Sequence, residues 1–304
     1  MAEISTISTA FVQQYSDMLY ILSQQRKSKF AMNVRQESCQ GESKSFDRLG
    51  EATVEEITTR HPATPNNEQP HTRRWVTPTN HHTNALVDNA DKLKMIIDPT
   101  NEYAQNQGRA LGRQMDDTIV AAALGTAAAG VTATTSSISF KDESVSINGD
   151  GTITTLGTAA VVGTIVNMTL AKIATMGRIF SEADIDEELP LYWAITPKDV
   201  ADMLSIIAIT SADYVDIKPL RNGRVVNFCG FNFTMSNRLT TTTTGNRTIA
   251  WAQDGIIYAS AEGITTRMSE RDDLSYTAQV YSRMNGGAVR MDGDKVHECL
   301  NKIA

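Results

Sequence analysis

The spacing of apolar residues changes period several times along the chain, and each change predicts an element. From Phe11 the apolar positions Phe11, Tyr15, Met18, Leu19 and Leu22 recur at helical spacing, with Arg26, Lys27 and Lys29 at the end where a helix dipole favours positive charge. This predicts a short amphipathic N-terminal helix. A long polar stretch separates it from the later core, so the partner of its stripe can belong to another subunit. Residues 36–72 hold seven apolar residues in 37. Within them, residues 43–49 and 52–60 suit a two-stranded ribbon turning at Gly50. Two strands with no apolar face are marginal alone, and structureless loops beyond about 15 residues are uncommon unless functional. Two readings stay open: a projecting hairpin that lies on a neighbour, or a disordered surface loop.

Asp98 and Pro99 are a capping residue followed by the residue favoured at the first helical position, which predicts a helix over residues 99–124. Leu111, Met115, Ile119 and Ala122 share its inner face, small residues at 121–123 permit close packing, and Gly125 supplies the stop. At 1.5 Å per residue it spans about 39 Å. Residues 130–157 are rich in Ser, Thr and Gly around Ile138, Phe140, Val145 and Ile147, as in strands and turns. A second helix is expected over 158–176, with Val162, Ile165, Val166, Thr169, Leu170 and Ile173 in its stripe and Gly177 as its stop. Residues 191–195 read as a buried strand, and Thr196-Pro197 opens a helix carrying Val200, Met203, Leu204 and Ile207. Strands follow at 224–228, 231–235, 249–251, 256–259, 276–284, 287–291 and 295–300, with Asn285-Gly286-Gly287 as a turn. The class is α+β, with neither regular βαβ alternation nor a fixed repeat.

Composition narrows the function classes. The 304 residues are 41% apolar, enough for one large core or two modest ones. No stretch approaches the roughly 18 uninterrupted apolar residues of a membrane helix, and residues 2–30 lack a secretory pattern, so the chain is expected to stay in the cytosol where it is made. Cys39, Cys229 and Cys299 are odd in number and widely spaced, which suggests neither a disulfide framework nor a zinc knuckle. A net charge of -7 argues against tight sequence-independent binding of a polyanion, although an acidic wall suits a container that does not grip its nucleic acid.

No phosphate-binding Gly-Lys-Ser/Thr loop and no Gly-x-Ser-x-Gly elbow is present. Gly149, Gly151 and Gly157 read as turn residues. His81 and His82 are adjacent and point apart, and Asp184, Asp186, Glu187 and Glu188 read as a solvated acidic loop. Trp75, Trp193 and Trp251 are read as packing residues. Neither a catalytic residue, nor a cofactor, nor a metal ligand is assigned.

Three segments carry a resemblance. Ile264-Thr-Thr-Arg-Met-Ser-Glu-Arg-Asp-Asp-Leu-Ser-Tyr-Thr-Ala-Gln-Val-Tyr281, with Gly287-Ala-Val-Arg290 and Lys295-Val296 after it, resembles the major capsid proteins of tailed bacteriophages. Gly108-Arg-Ala-Leu-Gly-Arg-Gln-Met-Asp-Asp-Thr-Ile119 looks like that family's spine helix, and Gly230-Phe-Asn-Phe-Thr-Met-Ser-Asn-Arg-Leu239 like a strand pair of its A domain. The resemblance implies the Hong Kong 97-type fold, divided as an N-terminal arm (1–35), an E-loop (36–75), a P domain with the spine helix (76–177), an A domain (178–262) and return strands of the P domain (263–304). It further implies a non-enzymatic structural subunit of an icosahedral head, assembled in the host cytoplasm and residing in the virion capsid. Its copies would form pentamers and hexamers around double-stranded DNA without reading its sequence. A separate scaffolding protein, a portal protein and a decoration protein are the further partners that reading brings, and no membrane is involved. Phe11, Tyr15 and Leu19 on the arm and Phe46 and Leu49 on the loop are the candidate anchors on neighbours. An encapsulin-like compartment shell is the alternative of the same fold, and an enzyme with an unrecognised site is the alternative of another class.

Overall fold

In the computed structural model the described residues are 21–61, 63–64, 66–87, 100–154, 156–157, 165–186, 188–206, 220–221, 224–225, 227–241 and 245–303. The chain divides into one unit of Met1–Arg26, His81–Leu111 and Ile264–Met284 and a second of Lys27–Asn80, Gly112–Gly263 and Asn285–Ala304. The elements in chain order begin with β1 (Arg35–Ser38), β2 (Lys44–Leu49), β3 (His71–Val76) and β4 (Thr79–Val87), followed by the long helix α1 (Thr100–Leu124). Next come β5 (Ala127–Ala129), β6 (Ser136–Ile138), the single turn α2 (Phe140–Glu143), β7 (Ser146–Ile147), α3 (Leu170–Glu182), β8 (Leu191–Ile195) and α4 (Pro197–Leu204). Short strands β9 (Leu220–Arg221), β10 (Arg224–Val225) and β11 (Asn227–Phe228) lead to β12 (Phe231–Met235), β13 (Gly245–Ala252), β14 (Ile256–Ser260), β15 (Thr265–Arg271), β16 (Thr277–Arg290) and β17 (Val296–Lys302).

The second unit is built on a sheet in the order β11-β12-β8-β13-β17-β7, in which β8 runs parallel to β12 and antiparallel to β13. Its central strands read as continuous apolar runs because both faces are covered. Trp193, Ile195, Ala250 and Cys299 face a cluster with Met168, Ile173, Met176 and Phe180 from and just before α3. Ala194, Ile249, Trp251 and Val296 face the opposite way, onto Ile119, Val120 and Ala123 of α1 and onto Phe30. Phe30 meets Trp251 edge-on at 5.7 Å, and the Trp251 indole donates to the Asn33 carbonyl at 2.8 Å. Asp116, fully buried on α1, accepts from the backbone of Lys29 at 3.0 Å and of Phe30 at 3.2 Å, which pins that segment to the helix. Gly112 leaves the room this needs, since a Cβ there would stand 3.2 Å from the Ser28 nitrogen.

β7 pairs with β17 only at Glu298 and Cys299. Beyond that point Lys172 replaces the missing neighbour: its buried ammonium donates to the carbonyls of Leu300 at 2.6 Å and Val166 at 3.1 Å and to Oδ1 of Asn301 at 3.2 Å. A second sheet of this unit runs β2-β3-β5-β6, and β14 lies between β1 and the C-terminal part of β16. In the first unit β15 and the start of β16 form an antiparallel hairpin in the register Thr265↔Arg283 to Arg271↔Thr277. Gln107 of α1 ties to it, donating to the Val280 carbonyl at 3.1 Å and accepting from Ser282 at 2.7 Å.

Several expectations need correction. The partner of β2 is β3, not residues 52–60, which form no strand; His71–Val76 offers buried Arg74 and Val76 as an inner face, whereas residues 52–60 are all exposed. The second helix begins at Leu170, capped by Thr169, and continues past Gly177 because Ile179 and Phe180 complete its buried stripe. Residues 158–164 of that prediction lie outside the described residues. Asn285-Gly286-Gly287 is not a turn: all three sit within the 14-residue β16. The glycines are needed for close approach instead. A Cβ on Gly286 would collide with the Tyr258 hydroxyl, and one on Gly287 would stand 2.8 Å from the Thr77 carbonyl. The strand expected at 224–228 is two pairs, β10 and β11. The predicted helix start at Asp98-Pro99 lies outside the described residues.

Candidate subunit-contact elements

Of the residues singled out from the sequence, Phe11, Tyr15 and Leu19 lie outside the described residues. Phe46 is half-buried on β2, packed against the cluster of Cys39, Val76, Ala127, Ala259 and Val289, with the Lys44 ammonium 5.0 Å from its ring centre. It therefore ties β2 to its own chain. Leu49 is 60% exposed at the end of the same strand. The β2–β3 ladder closes at Leu49↔His71, sealed by a bond from the Gly50 amide to the Pro70 carbonyl at 2.9 Å. Between those residues, every described residue of 51–70 is exposed, including Val54 and Ile57. A loop of this length whose described residues are all exposed gains little from its own fold, so the apolar side chains of Val54 and Ile57 are available to another surface.

The root of that loop is held by charge. Glu143 of α2 receives arginines from three strands: Arg74 of β3 in a close pair, Arg48 of β2 at 2.9 Å and Arg290 of β16 at 3.4 Å. Arg48 also reaches Asp292 at 3.0 Å. Arg290 is fully buried and caps α1, donating to the carbonyls of Ala123 and Gly125 at 2.9 Å each, where the helix dipole is negative. Burial pulls Arg74 and Arg290 below the usual guanidinium range, and the Glu143 carboxylate opposes it in both. Both stay charged at any ordinary pH. Asp294 nearby is pushed up, first by burial and then by Asp292 and Glu143. Removing water from such charges is costly, and only the convergence on one carboxylate makes the site tolerable. A cavity of about 840 Å³ opens beside it, lined by Arg48, His71, Arg73, Val131 and Ile138 among others. No sequence signal marks this cluster, because its members stand up to 244 residues apart and only the strand order unites them.

In the first unit, the tip of the β15–β16 hairpin is also exposed over residues 272–276. Ser275 and Tyr276 are both left-handed, at φ 53° and 56°, and Tyr276 is 65% exposed. Among the described residues no group of three or more His, Cys, Asp or Glu side chains could hold a metal ion, and no helix is long and apolar enough to cross a membrane. What these elements can do is touch other molecules.

The family described as phage capsid protein matches residues 7–302. No curated protein matches the chain by sequence. Among solved structures, the capsid of cyanophage P-SCSP1u is similar at a TM-score of 0.73 and 16% identity, covering 98% of this chain and 95% of the other. The capsid of cyanophage Pam1 gives 0.74 at 13% identity with 99% of both chains covered. That of Ralstonia phage GP4 gives 0.71 at 10% identity, with 100% and 98% covered. At such identities the likeness speaks for the fold, which is the α+β Hong Kong 97-type fold.

Proposed function

This chain belongs to the phage capsid protein family, and we propose from that premise that its copies close into pentameric and hexameric rings that tile an icosahedral head around double-stranded DNA. Its role is that of a structural subunit of the phage head, a major capsid protein of the virion. The family match across nearly the whole chain carries this reading, and the encapsulin-like alternative is not favoured.

In the proposed division, residues 1–35 act as the N-terminal arm, 36–75 as the E-loop, 76–177 with 263–304 as the P domain, and 178–262 as the A domain. Phe11, Tyr15 and Leu19 from the arm and Leu49, Val54 and Ile57 from the loop are the proposed anchors on neighbours. Phe46 is assigned to holding the root that carries them. Elements laid over adjacent copies enlarge an interface into the obligate range, on the order of 2,000 Å² or more, without enlarging the core. A scaffolding protein, a portal and a decoration protein are proposed partners, and assembly is proposed to take place in the host cytoplasm.

Electron microscopy of the purified protein, expressed with and without a neighbouring scaffold-like gene, tests this. Closed shells of uniform diameter that depend on the second gene are expected. Only monomers or dimers under both conditions would overturn it.

A further inference from the structure

Of the five histidines only His297, on β17, is buried, and both of its ring nitrogens are committed. Nδ1 accepts from the Val145 amide at 3.3 Å, so the proton of the neutral ring lies on Nε2, which donates to the Asp294 carbonyl at 2.8 Å. A backbone N–H can only donate. A second ring proton, on Nδ1, therefore points at another donor, and the bond to Val145 cannot survive it.

The other neighbours of the ring are apolar or already engaged. Phe180 of α3 meets it at 4.9 Å, and Ala250 of β13 lies opposite it in the ladder. Glu298, next along the strand, is taken up by the Ser146 hydroxyl at 2.5 Å and by Arg247 at 2.6 Å. The residues after β16 bring the carboxyls of Asp292 and Asp294. The charge of Asp292, itself tied to Arg48 at 3.0 Å, favours a proton on the ring. Burial outweighs it and holds the ring at about 4.

The segment that must give way is lightly attached. β7 is two residues long and pairs with β17 only at Glu298 and Cys299. Its approach adds one bond, from the Glu298 amide to the Val145 carbonyl at 3.3 Å. The hydroxyl of Ser144, one residue earlier, is buried without a partner. On its other edge β17 is held by β13 along a register that runs from Gly245↔Lys302 to Trp251↔Val296.

We infer that His297 is an acid-released latch: a proton on Nδ1 expels the Val145 amide and lifts β7 off the edge of β17, while β13 keeps its place on the other edge. The sign follows from the two states of the ring. The closed latch refuses the second proton until about pH 4, whereas an open one accepts it near 6.5, so acid favours opening. The latch is a property of the folded subunit, and it goes beyond the head reading without depending on it.

Amide hydrogen exchange of the purified full chain, read by mass spectrometry and corrected for the pH dependence of intrinsic rates, tests this. Between about pH 7 and about pH 4.5 the opening of residues 144–154 should become about 50-fold more frequent, while β8 and β13 stay protected. His297→Gln keeps a donor and an acceptor but cannot titrate, so its protection at 144–154 should not change with pH. Asp294→Asn keeps the carbonyl that holds Nε2 and should behave as the wild type. Unchanged protection in the wild type would overturn the latch, as would the same loss in His297→Gln or a simultaneous loss over β8 and β13. A flat response in Asp294→Asn would overturn it too, by moving the switch to that carboxyl. If circular dichroism shows that His297→Gln does not fold, the wild-type pattern and Asp294→Asn decide between these outcomes.

Discussion

Two sheets of the larger unit are held in opposite ways. The sheet centred on β8, β13 and β17 is closed on both faces by apolar side chains, with Trp193 and Trp251 buried on opposite sides. The sheet of β2, β3, β5 and β6 has only the small cluster around Val76 and Val289, and its deepest contact is the three arginines on Glu143. Apolar packing is non-directional, so it tolerates adjustment throughout the wide sheet. A carboxylate shared by three guanidinium groups has one geometry. Where a strand pair must hold a long uncovered loop at a fixed angle, direction is worth more than area, and the charges sit at that root.

Removing Glu143 breaks the comparison most severely. Glu143→Ala leaves Arg74 and Arg290 buried without their carboxylate, and should cost about 3–5 kcal/mol in denaturant unfolding of the unassembled subunit. A loss below about 1 kcal/mol, the range of exposed pairs, would show that the root is held by its apolar contacts after all.

Acid should strike the apolar sheet instead. His297 on β17 is buried against Phe180, its rings 4.9 Å apart, and burial pulls its pKa from 6.5 to about 4. Because the folded value is the lower one, the stabilisation is fully present above about 6.5 and is lost as the pH falls through about 4. The loss should approach about 3 kcal/mol, visible as a falling melting temperature between pH 7 and pH 4. Asp294 works in the other direction, since its raised pKa favours the folded state as the acid protonates it. His297→Gln should flatten the slope, and an unchanged slope would place the acid sensitivity elsewhere.

The smallest effect sharpens the boundary between the two sheets. Thr196 and Asp199 form a capping box at the start of α4, beside the apolar sheet. Thr196→Ala should cost about 1 kcal/mol and shift the denaturation midpoint. It should add to the Glu143→Ala loss, since the two sites share no partner. A total well away from the sum would mean that the two sheets are coupled.

Local signals in the sequence served where local physics decides. The stripe of Leu111, Met115 and Ile119 with Gly125 after it located α1, and Thr196-Pro197 located α4, because period and caps are properties of neighbouring residues. They did not serve where a distant contact decides. His71–Val76 carries two arginines in its middle, and only the later approach of Glu143 makes Arg74 an inner residue. Gly286 and Gly287 read as a turn because the close passage of Tyr258 and Thr77 is invisible in their own neighbourhood. Lys172 carries no local signal of burial, and its place in the core makes sense only once the free edge of β17 is known. Of the contact elements, the polar composition of residues 36–72 marked the loop, but not the chain that anchors it.

The seal at Gly50 and Pro70 has an evolutionary consequence. Ring closure there is made by the β2–β3 ladder and the Gly50–Pro70 bond, and doubling the length of the exposed span beyond them would add only about 0.6 kcal/mol of closure entropy. Selection can rewrite that span for a new partner, or a new shell size, while the rest of the gene stays still. In the proposed head, mutational drift in the loop is therefore answerable to the neighbour it is proposed to meet more than to the subunit that makes it.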